Sequence, residues 1–168
     1  LQSFSIINSN ISIISSENNN NEILDSKINF TLFELNGFNY LLHVEKVFFV
    51  IKRNEVFKNL FLCSSSEQNL TWGKKIFMKD VFFSIDHDTP ILNSFFSDNS
   101  IEMNSVTIEN IKAFEMVAIR SAIKIEKSNF YLKYYSEPEE KVKLFLDMEQ
   151  SELVLEEFLL VGEREDPI

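Results

Sequence analysis

The stretch INFTLFELNGFNYLLHVEKVFFVIK, residues 28–52, decides how this chain is read. Ile28, Phe30 and Leu32 alternate with Asn29 and Thr31, the period-two pattern of a half-buried strand. Asn36-Gly37 follows, a pair that readily takes the left-handed backbone of a tight turn, and it predicts a β-hairpin. The return strand, Phe38 to Lys52, is long, rich in Val and Phe, and expected to bend. Further strands are expected over Phe57 to Cys63, Lys74 to Asp86, Val106 to Glu126 with a turn near Ala113, and Phe130 to Tyr135. Ile11, Ile13 and Ile14 suggest one more near the start.

Two helices are expected. Thr89 and Pro90 resemble a cap and first turn before a short helix from Ile91 to Phe96. Ser136-Glu137-Pro138-Glu139 has capping-box spacing, and a helix should run from about Pro138 to Leu160, with Gly162 as its stop. The chain is thus expected to be a single domain, mainly β. Residues 1–26 form an extension with a mobile Asn/Ser loop, 27–135 a small β-barrel body, and 136–162 an acidic C-terminal α-helix. An OB-fold-like barrel is favoured and a PH-like barrel is the alternative. No internal repeat is visible.

Composition narrows the function classes. The 168 residues are 45% hydrophobic and 25% charged, proportions of a globular chain that buries a core without help. Seventeen Phe stand against one Trp and four Tyr, so that core is expected to be built from Phe. The usage, poor in Gly and Pro and rich in Asn, Ile, Lys and Phe, is that of an AT-rich coding sequence, so the sequons at Asn10, Asn29 and Asn69 carry little weight. Cys63 is alone, which excludes an intramolecular disulfide and suits a reducing compartment. No apolar run approaches a membrane span, no signal segment opens the chain, and an intracellular, nuclear location is expected. The first residue, Leu1, suggests a fragment or a processed chain. The net charge of −10 is uneven: −3 over residues 1–35, +1 over 36–135 and −8 over 136–168.

Three glycines, at 37, 73 and 162, exclude a glycine-rich phosphate cradle. Asp86-His87-Asp88 puts its carboxylates and imidazole on opposite sides of a strand, and a solvated loop is the simpler reading. His43 lies inside an apolar strand, and Cys63 reads as a small buried hydrophobe without an elbow glycine or a base. No enzyme and no cofactor or metal are expected. Lys52, Arg53, Lys74 and Lys75 lie near Trp72 and other aromatics, the mixture that single-stranded nucleic acid requires. Leu144, Phe145, Leu155, Phe158 and Leu159 exceed one helical stripe and are expected to form a protein interface, with a partner or a second copy in a homodimer.

Val106-Thr107-Ile108-Glu109-Asn110-Ile111 and Phe130-Tyr131-Leu132-Lys133-Tyr134 resemble the closing strands of OB domains in yeast telomere-capping complexes. The resemblance covers about a third of the chain. It implies a module of a single-stranded telomeric DNA-binding complex, with the acidic C-terminal helix pointing to dimerisation or protein binding over primary DNA contact. The alternatives are a PH-like protein- or lipid-binding adaptor and an acidic inhibitor of the immunity type.

Overall fold

A computed structural model describes residues 2–14, 30–36, 40–52, 57–64, 74–89, 92–111, 113–135 and 143–165. Every regular element among them is a strand. In chain order these are β1 (Gln2–Ile14), β2 (Phe30–Asn36), β3 (Tyr40–Lys52), β4 (Phe57–Ser64), β5 (Lys74–Thr89) and β6 (Leu92–Ser97). They continue as β7 (Ser100–Ile111), β8 (Ala113–Ile119), β9 (Ala122–Glu126), β10 (Asn129–Tyr135), β11 (Lys143–Glu149), β12 (Glu152–Glu156) and β13 (Leu159–Glu165).

All the pairings are parallel. One sheet runs β1-β3-β5-β7-β10-β13, with β9 beside β7 and β12 beside β9; the other runs β11-β8-β6-β4-β2. From β1 to β9 successive strands alternate between the two sheets, while β9–β10 and β12–β13 are consecutive pairs within the larger one, and strands pair with their equivalents one turn later. This is a parallel β-solenoid. Gln2 lies beside Tyr40, Tyr40 beside Lys74, Lys75 beside Ser100, Ser100 beside Ala122 and Ala122 beside Glu152.

The favoured barrel is thereby corrected: parallel sheets stacked turn upon turn do not close into an OB-like or PH-like barrel. Asn36-Gly37 joins no hairpin, because β2 pairs with β4 in one sheet while β3 pairs with β1 and β5 in the other. The short helix at Ile91 to Phe96 is replaced by β6, and the C-terminal helix by β11, β12 and β13. Residues 1–26 are no simple extension either, since β1 is hydrogen-bonded along β3 from Gln2 to Ile14. The Asn/Ser loop and the Ser136–Glu139 capping box lie outside the described residues.

Side chains alternate in and out along each strand, and equivalent positions stack into columns. Leu42, Ile76, Ile101 and Ile123 form one inward column, and Phe49, Phe83, Ile108 and Phe130 another, all buried. Phe49 and Phe83 stack with ring centroids 4.8 Å apart and planes nearly parallel; Phe33 meets Phe49 edge-on across the core at 5.8 Å. Phe114 and Phe130 bridge the sheets again at 5.2 Å. Each such ring removed from water contributes roughly 1.5–3 kcal/mol, so the Phe-built core is the main source of stability.

The alternation breaks at one place in every turn of the larger sheet. Asn8, Lys46, Asp80, Ser105, Lys127 and Glu157 have φ between 49° and 56°. Neighbouring registers put all six in one column. A left-handed residue there lets two inward side chains, such as Val44 and Val47, stand three positions apart, turning the chain around a corner. Asp98, Arg120 and Gln150 make a second left-handed column where the smaller sheet returns to the larger.

Candidate interaction site

Two features stand out from the regular columns: the open ends of the solenoid and a polar corner inside it. At the C-terminal end, β11, β12 and β13 carry no strand on their outer edges among the described residues. Leu146, Leu153, Leu155, Phe158 and Leu160 occupy the inward columns of Met116, Ile123, Ile125, Ser128 and Phe130. Among the described residues no further turn covers them, and Leu155 is 44% and Leu146 38% exposed. Phe158 is partly covered by the edge of the Phe130 ring, 5.1 Å away. The opposite end is built the same way: Phe4 continues the Leu42 column and is 60% exposed.

The rims of the two ends differ in charge. Asp147, Glu149, Glu152, Glu156 and Glu157 are exposed around the C-terminal turn. Lys124 reaches Glu126 at 2.7 Å and Glu156 at 3.5 Å, offsetting part of this acidity. β1 contains no charged residue.

The polar corner follows another column. Tyr40 stacks on Lys74, and Lys74 stands level with Asn99, one position before the Lys75–Ser100 pair. Below it, Asn99 N–H donates to Ser121 Oγ at 3.1 Å and Ser121 N–H donates to Ser151 Oγ at 2.9 Å. The serine hydroxyls thus satisfy backbone donors that the corner would otherwise leave unpaired. Tyr40 donates its hydroxyl proton to Asn99 Oδ1, and Asn99 Nδ2 donates to the Ser97 carbonyl at 2.8 Å. Arg120 grips Asp98 through two bonds, Nε to Oδ1 at 2.7 Å and Nη2 to Oδ2 at 2.9 Å.

Lys74 is 2% exposed, and its Nζ has no hydrogen-bond partner among the described residues. Burial lowers its pKa, against the opposite pull of Asp98 and Cys63. Burial likewise pushes the Cys63 thiol up to about 12 and raises the Tyr40 hydroxyl above its ordinary value. Asp98 is held below the ordinary carboxylate range, first by its bonds from Arg120.

The structure separates the residues that the sequence grouped. Lys75 is exposed on the outer face while Lys74 points into the core, so the pair offers no shared cationic surface. Lys52 pairs through its backbone with Ile14 and Asp86; Arg53 and Trp72 lie outside the described residues. Of the five apolar residues expected on a helix face, Leu144 and Phe145 lie on β11, Leu155 on β12 and Leu159 on β13, with Phe158 between β12 and β13. Leu155 and Phe158 point along the open core, whereas Phe145 (52% exposed) and Leu159 (47% exposed) face outward from the sheets. Leu144 pairs with Phe114 through its backbone. Asp86-His87-Asp88 falls within β5.

Tyr40, Asp98 and Asn99 were not singled out from the sequence. A signal existed: Lys74, Ile76 and Met78 share one parity, which places a lysine on the core face. Among the described residues no group of three or more His, Cys, Asp or Glu could hold a metal ion, and no helix is long and apolar enough to cross a membrane. No protein-family model, no curated protein and no solved structure matches the chain.

Proposed function

We propose that this chain is a non-catalytic assembly module that binds a second copy of itself, end to end, through the open turns of its solenoid. The observation that carries the reading is the C-terminal cross-section of the core, with Leu146 and Leu155 exposed, Phe158 half-buried, and free strand edges alongside among the described residues. Repeat proteins require their terminal turns to be covered, because an open turn leaves both apolar surface and backbone hydrogen-bonding groups in water.

Charge selects the orientation. Two C-terminal ends brought together would oppose Asp147, Glu149, Glu152 and Glu157 with their own copies. Strand β1 itself carries no charge, and its exposed Phe4 and Ile7 offer apolar surface. Head-to-tail stacking of β1 against the last turn also preserves the parallel strand direction of every other turn. Such a contact is heterologous, so it leaves a free end on each partner.

Light scattering across a concentration series tests this. The wild type should rise above monomer mass, and both Phe4→Glu and Leu155→Glu should stay monomeric while folded. Mixing these two variants should restore a dimer and nothing larger, because each supplies the end that the other lacks. A wild type that stays monomeric at high concentration refutes the proposal.

A further inference from the structure

A lysine sealed in the core without a partner, level with a buried carboxamide, requires a chemical account. Lys74 is as buried as the Phe rings around it, and its Nζ meets no acceptor among the described residues. Asn99 occupies the adjoining position of the same column, one strand spacing away, about 4.8 Å between backbones. The Tyr40 hydroxyl reaches Asn99 Oδ1 from the turn on the far side of Lys74. That bond spans the turn carrying Lys74, so the Lys74 position lies between the phenol and the carboxamide in the stack.

We propose that Lys74 and Asn99 join through an intramolecular isopeptide bond once the chain has folded. The lone pair of Lys74 Nζ attacks Asn99 Cγ and a C–N bond forms. Charge developing on Oδ1 is met by the Tyr40 hydroxyl, which already donates to that atom. One amine proton passes to Nδ2, the Cγ–Nδ2 bond breaks and ammonia leaves. Atoms balance as amine plus carboxamide giving a substituted amide plus ammonia, with no oxidant or reductant.

Three features favour the step. Burial lowers the pKa of the amine, which favours its neutral, nucleophilic form. The core excludes the water that would otherwise compete for the carboxamide carbon. Holding both groups in one column replaces a slow encounter with a positioned one. The product also removes a difficulty of the fold, because an amide is far easier to bury than a lysine side chain.

Intact mass spectrometry of the full chain, denatured after folding, tests the proposal. The mass should fall short of the sequence mass by one ammonia. Proteolysis should give a branched peptide linking Lys74 to Asn99, with trypsin failing to cut after Lys74. Tyr40→Phe should slow formation of the link, and Lys74→Arg and Asn99→Ala should lack it. A folded wild type of full mass, cleaved normally at Lys74, overturns the proposal. So does loss of ammonia without a branched peptide, which would mean cyclisation at Asn99-Ser100 instead.

Discussion

Placing glycine at the left-handed corners should strengthen this protein, although glycine weakens ordinary strands. Lys46, Lys127 and Glu157 have φ of 53°, 49° and 50° and exposed side chains. A side chain with a β-carbon is strained there by about 1–2 kcal/mol. Glycine removes that strain but loses about 0.5–1 kcal/mol more conformational entropy on folding. The net gain is roughly 0.5–1 kcal/mol per site. The side-chain contact given up at Lys46 is a loose 3.8 Å approach to Glu45 on the surface, worth little. Lys46 and Lys127 stand three turns apart, about 14 Å, far enough for their effects to add. The double variant Lys46→Gly/Lys127→Gly should therefore gain about 1–2 kcal/mol, read as a rise in the urea midpoint at unchanged slope. Lys75→Gly, at an exposed position in regular β5, serves as the control and should lose stability. If the corner variants fall as the control does, the corners are not strained and the account of how the chain turns is wrong.

Other outcomes follow from the packing and the polar corner. Phe83→Ala, in the centre of the stacked column, should cost about 3–5 kcal/mol in urea unfolding. The Asp98 carboxyl is lowered on folding, so its stabilisation is complete above the ordinary carboxylate range and disappears as pH falls through its lowered folded value. Asp98→Asn should then be less stable at neutral pH, with its deficit shrinking toward strongly acid pH in urea titrations. Cys63, buried and with its thiol pushed up to about 12, should resist thiol reagents in the native state and react only on unfolding.

Strand positions were largely legible, and their partners were not. The long bent strand beginning near Phe38 is β3, with its bend at Lys46. The strands near Phe57, Lys74 and Phe130 also stand where alternation puts them. Asn36-Gly37 misled because hairpin chemistry assumes that sequential strands pair, whereas here β2 and β3 belong to opposite sheets. The expected C-terminal helix rested on a capping box and on glutamates, which favour helices. Leu153, Leu155, Phe158 and Leu160, however, repeat the spacing of Ile123, Ile125, Ser128 and Phe130, and pairing along the ladder overrides local preference. The corner itself has a signature: Val44-Glu45-Lys46-Val47, Met78-Lys79-Asp80-Val81 and Met103-Asn104-Ser105-Val106 each set two polar residues between two apolar ones. The polar corner stayed hidden because it joins residues 40, 74, 99 and 120, which only the winding brings together.

The turns are equal in height but unequal in the amount of chain they use. Equivalent positions are separated by 38, 34, 25, 22 and 30 residues from one turn to the next. No fixed period exists for a sequence comparison to detect, which is why the repetition is geometric and not textual. For an engineer, the same property makes this scaffold permissive. Material added between strands is taken up where the path already varies, while the stacked columns keep their register. A reporter peptide or a small folded insert placed between β4 and β5, where residues 65–73 intervene, should leave the ladder on either side unchanged.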